Sequence, residues 1–234
     1  MGYNTINGVG PSKLVALTVQ FENVAGNDIA VTDLVTSSSP TMNASFASAD
    51  QIWRWDSATD AWRQYYNSKK NTMSKTVDGW CLKGDKTNTT DRVGVGETFF
   101  FVNHAKTDVS LTLAGGVKAF NAEPAYSVGP SKLVFMGNPW PMEMEIYGFE
   151  TKCSSPASNA SFASADQIWR WDSATDAWRQ YYNSKKNTMS KTVDGWCLKG
   201  DKTNTTDRVS VGEGFFFVNH AKVDQTITFT NAAE

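Results

Sequence analysis

Cysteine and histidine are scarce in this chain: three of the first and two of the second among 234 residues. An odd number of cysteines makes a poor disulfide framework. No H-E-x-x-H, G-x-S-x-G, C-x-x-C or glycine-rich phosphate loop occurs in the sequence, so the hydrolytic, redox and phosphate chemistries those motifs carry are not expected. Neither a metal nor a cofactor is expected. A basic excess is missing too: Lys and Arg number 22 against 24 Asp and Glu, for a net charge of −2. Phosphate neutralisation needs a basic face, so nucleic acid is not an expected partner. Long apolar runs are absent as well. Nothing reaches the about 18 residues a membrane-spanning helix requires. The opening Met1-Gly2-Tyr3-Asn4-Thr5-Ile6 has no charged and apolar leader, and position 6 lacks the Ser or Thr of a myristoylation site.

What the chain has is a repeat. The stretch from Asn43 to Val93 recurs letter for letter from Asn159 to Val209, 116 positions further on. With few changes the likeness extends over 43–108 and 159–224. A second echo, Val9-Gly10-Pro11-Ser12-Lys13-Leu14-Val15 and Val128-Gly129-Pro130-Ser131-Lys132-Leu133-Val134, lies at an offset of 119. Between these echoes the copies diverge, over Ala16–Met42 and Phe135–Ser158. Two modules follow, 1–118 and 119–234, each long enough to bury a core. A linker is expected near Ala114–Pro124, where Gly115, Gly116 and Pro124 punctuate the chain.

The periodicity is that of strands. Leu14–Phe21 alternates, and Ile29–Val35 reads as a second strand. Gln51–Asp56 and Ala61–Tyr66 flank Ser57-Ala58-Thr59-Asp60 as a hairpin. If Trp55 faces Trp62 and Trp53 faces Gln64, period two sets Trp53, Trp55, Trp62 and Tyr66 on one face. Ile52, Arg54, Arg63 and Tyr65 then fall on the other. Asn67–Val77 reads as an exposed loop, Asp78-Gly79 as a turn and Trp80–Lys83 as a short strand. Arg92–Val95 follows. The unbroken run Phe99-Phe100-Phe101-Val102 predicts a strand covered on both faces. Val109–Leu113 and Thr226–Thr230 close the two modules. No long 3.6-residue stripe appears, so the expected class is all-β: two tandem β-sandwich-like modules built from an internal duplication.

Few residues suggest chemistry. Cys81, His104 and Asp85 contain the residue types of a nucleophilic triad, but no motif places them together. Asp78, Asp85, Asp91 and Glu97 are hard oxygen donors without the spacing of a calcium loop. Cys81 and its copy Cys197 sit in Gly-Trp-Cys-Leu and read as small buried apolar residues; a Cys153–Cys197 bridge is the alternative. Asn43-Ala44-Ser45 and Asn88-Thr89-Thr90 match the glycosylation sequon by composition alone.

The aromatic residues are the stronger signal. Trp53, Trp55, Trp62 and Trp80 recur as Trp169, Trp171, Trp178 and Trp196. Most would build the cores. A few exposed on one sheet face would form a sugar-stacking platform or a subunit contact. Arg54, Arg63, Tyr65 and Tyr66, with Arg170, Arg179, Tyr181 and Tyr182, would supply its polar rim.

The succession Pro-Ser-Lys-Leu-Val, Ala-Asp-Gln-Ile-Trp-Arg-Trp-Asp, Tyr-Tyr, Asp-Gly-Trp and Val-Gly-Glu-Thr-Phe-Phe-Phe-Val resembles a family of bacterial exported β-modules. Members run from a G-x-N-L-I-S-x-P-like opening through an I-x-x-W/Y strand to a closing P-G-x-G-F-W/F strand. This chain has Ser-Lys-Leu-Val in the opening and no proline before Gly96 or Gly212. The resemblance implies a secreted or cell-surface location and an all-β fold, and carries over no catalytic residue. The expectation is a non-catalytic structural protein, a subunit of a surface filament or coat that polymerises with itself. The alternative is a tandem pair of carbohydrate-binding modules whose partner is a surface polysaccharide.

Overall fold

The computed structural model describes residues 2–117 and 125–229, apart from residues 24, 74, 190 and 191 and the side chain of Glu150. The chain divides into two compact units, Met1–Ala119 and Phe120–Glu234. Among the described residues the strand pairs of both units are antiparallel, joined by loops and short 3₁₀ turns.

Unit one contains β1 (Gly2–Val9), β2 (Leu14–Thr18), β3 (Phe21–Glu22), β4 (Ile29–Ala30), β5 (Thr36–Ser37) and β6 (Gln51–Asp56). It continues with β7 (Ala61–Ser68), β8 (Gly79–Leu82), β9 (Arg92–Val93), β10 (Thr98–Val102) and β11 (Val109–Val117). Its main sheet has the order β2-β10-β6-β7-β8, and a second sheet runs β1-β11-β3 with β5 also on β11. Val9, Val109, Leu111 and Leu113 of the second sheet meet Leu17, Ile52, Tyr65, Trp80, Phe99 and Phe101 of the first in one buried cluster. Two antiparallel sheets with a shared apolar layer form a sandwich.

Unit two follows the same plan: β12 (Ala125–Val128), β13 (Leu133–Gly137), β14 (Met144–Glu145), β15 (Gln167–Asp172), β16 (Ala177–Ser184), β17 (Gly195–Leu198), β18 (Arg208–Val209), β19 (Gly214–Val218) and β20 (Gln225–Thr228). The main sheet is β13-β19-β15-β16-β17, accompanied by β12-β20 and β14-β18. Its core gathers Ile168, Tyr181, Trp196, Phe215, Phe217, Ile227 and Phe229 around Phe149, from the segment that differs between copies. Phe149 lies edge-on to Trp196 and Phe215, at centroid distances of 5.7 and 5.8 Å.

The hairpin register is the expected one. Trp55 pairs with Trp62 and Trp53 with Gln64. Asp60, at φ 50°, takes the left-handed position of the turn, which Asp tolerates because its short side chain bonds locally. Phe99–Val102 lies in the buried centre of its sheet, paired with β2 and β6.

Several elements differ from expectation. Leu14–Phe21 is two strands. The chain leaves the main sheet after Thr18, and Phe21 joins the second sheet opposite Val117. Ile29–Val35 is strand for only two residues, then a 3₁₀ turn in which Val31 and Leu34, three apart, are both buried. Three-residue spacing suits that turn. Asn67 and Ser68 extend β7 and are buried, and Asn71 bridges Thr76 beyond them. Gly115 and Gly116 belong to β11. A Cβ on Gly115 would stand 2.3 Å from the Glu22 carbonyl oxygen, so glycine is there to let β3 approach. The remainder of the expected linker, 118–124, and the end of the last strand at Thr230 lie outside the described residues.

Candidate functional site

The main sheet of each unit has two chemically distinct faces. On the face turned from the core, Trp62 sits among three rings: Trp53 at 6.2 Å, Trp55 at 5.3 Å and Phe100 at 5.6 Å between centroids. Trp178 repeats this with Trp169 at 6.3 Å, Trp171 at 5.2 Å and Phe216 at 5.7 Å. All six tryptophans are partly buried, while Trp80 and Trp196 belong to the cores. Unit two adds Phe135, stacked on Phe216 at 4.4 Å.

The indoles are held by their neighbours. Trp53 Nε1 donates to Gln51 Oε1 at 2.7 Å, and Gln51 Nε2 donates to the Phe46 carbonyl at 2.8 Å. The same amide lies 3.1 Å from His104 Nε2. An amide nitrogen is only a donor, so His104 accepts there through an unprotonated Nε2. Asp50 fixes the His104 backbone, accepting from its N–H and from that of Thr41, both at 2.8 Å. Burial raises the Asp50 carboxyl above its usual value, and these bonds oppose the rise only in part.

The proposed rim separates. Arg54, Arg63 and Tyr65 lie on the opposite, core-side face, as do Arg170, Arg179 and Tyr181. Tyr65 and Tyr181 are fully buried, and Tyr66 and Tyr182 are 5% exposed, so none of the four forms a rim. Tyr66 packs with Ala49 and Cys81 beneath Phe46, and Tyr182 repeats this with Ala165 and Cys197. Polar groups that do border the tryptophans are Gln64 and Lys83. Lys83 Nζ donates to Gln64 Oε1 at 2.8 Å and stands 4.5 Å above the Phe46 ring; Gln180, Lys199 and Phe162 repeat the set. Gln64 was legible from the hairpin parity. Lys83 was not, because its neighbour Phe46 precedes the hairpin in an irregular segment.

The core-side face ends in ion networks. Tyr65 Oη donates to Asp91 Oδ2 at 2.6 Å, accepts from Arg63 Nε at 3.1 Å, and Arg63 also pairs with Asp91. Burial alone would raise Asp91, but the bonds from Tyr65 and Arg63 outweigh it and hold the carboxyl below its ordinary range. Asp207 is held down in the same way by Tyr181 and Arg179.

Cys81 and His104 do not meet. The Cys81 sulfur faces the Gly79 carbonyl and Asn88, and about three strand spacings of ~4.8 Å separate β8 from the end of β10. Burial pushes its thiol up, away from the nucleophilic thiolate. Cys153 and Cys197 are both free, in different apolar clusters, so no bridge joins them. Asp78 accepts from the Lys70 backbone, Asp91 is engaged as above, and Glu97 pairs with Arg54. Among the described residues no three His, Cys, Asp or Glu side chains converge as metal ligands.

Compared with family models, curated proteins and solved structures, the chain matches none.

Proposed function

We propose that this chain is a non-catalytic structural protein that works by self-association, each copy adding to the next through the edges of its β-modules. The observation carrying this reading is β1. It is the terminal strand of its sheet, eight residues long, bonded to β11 on one side in continuous register over residues 2–6, with a register shift between Ile6 and Val9. Its sequence Gly2-Tyr3-Asn4-Thr5-Ile6-Asn7-Gly8-Val9 holds no charge and no proline. Edge strands that stay monomeric are commonly blunted by Lys, by Pro or by shortness. Tyr3, paired with Ala114, is 77% exposed on this strand, and Val117, at the far end of β11, is 67% exposed. A second copy adding its own strand would satisfy the outer backbone groups. The location at a bacterial cell surface rests on the sequence resemblance alone.

The test is electron microscopy of the full chain across a concentration series. Filaments or sheets are expected; dispersed monomers at the highest concentration would remove the reading.

A second reading, paired carbohydrate-binding modules, is favoured by the duplicated tryptophan cluster with Gln64 and Lys83 beside it. Two equal weak sites would gain avidity. Loss of polysaccharide retention in a Trp62→Ala, Trp178→Ala double variant would support it; unchanged retention would exclude it.

A further inference from the structure

One shared residue has different surroundings in the two copies. Arg92 and Arg208 occupy the same place in the repeat. In unit one, Arg92 Nη1 donates to the Asp28 backbone carbonyl at 2.6 Å. In unit two the divergent segment brings carboxylates instead. Glu145 stands directly across from Arg208 in the β14–β18 pair and binds its guanidinium, and Glu143 Oε2 lies 3.7 Å from Arg208 Nη1. All three side chains are at least half exposed.

This pair separates two cavities that both include Glu145 and Arg208. The first, of about 380 Å³, has Trp140, Gly148, Thr151 and Lys152 on its walls and Phe229 behind. The second, of about 410 Å³, has Tyr147 and the segment 204–207. Trp140 is fixed: its Nε1 donates to the Phe229 carbonyl at 3.1 Å, and its backbone N–H donates to Asn138 Oδ1 at 3.1 Å. Asn138 also binds the Met142 carbonyl, closing a turn that Pro139 and Pro141 stiffen. Tyr147 is 49% exposed. An aromatic ring therefore stands on each side of a carboxylate–guanidinium bridge.

We propose that this groove binds a neutral oligosaccharide, one sugar ring against Trp140 and the next against Tyr147. The Glu145–Arg208 pair would engage the hydroxyls between them. A hydroxyl both donates and accepts, and the bridge offers an acceptor and a donor side by side. Two glutamates disfavour an anionic ligand, and Arg208 with Lys152 offsets them against a cationic one. The site belongs to unit two alone, so it is independent of self-association and of the duplicated tryptophan faces.

Isothermal titration calorimetry of the full chain tests it, using tetrasaccharides of glucose, mannose and N-acetylglucosamine, with choline as the cationic control. At least one tetrasaccharide should bind at one per chain. Arg208→Ala should weaken it by ~10-fold or more, as loss of a charged hydrogen-bonding group does. A Cβ on Gly148 meets nothing within 4 Å, so Gly148→Leu should fill the first cavity without strain and give a similar loss. Arg92→Ala should leave affinity unchanged. Near-ultraviolet circular dichroism checks that each variant is folded. The proposal is overturned by no binding from the panel, by two sites per chain, by choline binding in their place, or by full affinity in folded Gly148→Leu.

Discussion

At the scale of single residues, duplication supplies internal controls. Arg54 and Arg170 are copies, yet Arg54 makes one bond to Glu97 at 3.0 Å, whereas Arg170 holds Glu213 through two, at 2.7 and 2.8 Å. The glutamate is 49% exposed in the first and 17% in the second. A forked, sheltered pair contributes more than a single exposed one. Chemical denaturation should show Glu213→Gln costing about 1 kcal/mol more than Glu97→Gln. Asp91 and Asp207 set part of the acid response. Their carboxyls are depressed in the folded state. The stability they contribute is complete above the unfolded value of about 4 and is lost as pH falls through the lower folded value. Asp50 is raised, so its contribution has the opposite sign and fades as pH rises through its folded value. Tyr65→Phe with Tyr181→Phe should cost about 1–3 kcal/mol per site near neutrality and flatten the acid limb below about pH 4. An unchanged limb in a denaturation series would show that the Tyr–Asp bonds do not govern it. The three cysteines should each take one alkyl group in denaturant without reductant, read by intact mass, since none is bridged.

Elements were legible in the sequence to the extent that period two governs them. Trp53, Trp55 and Trp62 alternate across a short turn, and parity alone fixes their common face. Phe99–Val102 announces a central strand because only a strand buried on both sides needs an unbroken apolar run. Legibility failed where backbone proximity decides. Gly115 looked like linker punctuation, because nothing local reveals that β3 crosses it. Tyr65 and Tyr66 looked like a rim, because tyrosine suits both a surface and a core; the networks through Asp91 and around Cys81 decide their burial. The unit-two groove was unreadable, since Trp140 and Arg208 are far apart in the chain and meet only after β14 pairs with β18. Gly115→Ala should destabilise by about 1–3 kcal/mol through backbone collision. Gly116→Ala, whose nearest neighbour would stand at 3.5 Å, should be neutral or mildly stabilising.

At the scale of the molecule, each unit owns its core. Among the described residues, the larger apolar cluster of the first draws on residues before Val117, and that of the second on residues from Tyr126 onward. Chains cut at Ala119/Phe120 should each give a cooperative unfolding transition and native near-ultraviolet signals; a molten half would refute that independence. The shared strands supply one framework twice, and the differing segments vary what is built on it. Association through β1 is the central claim, and sedimentation velocity over a concentration series addresses it most directly. The full chain should form species larger than monomer as concentration rises. Tyr3→Lys with Thr5→Lys, which sets like charges across any strand pairing there, should remain monomeric and folded. A full chain that stays monomeric throughout, or a doubly substituted one that assembles equally well, would contradict the account.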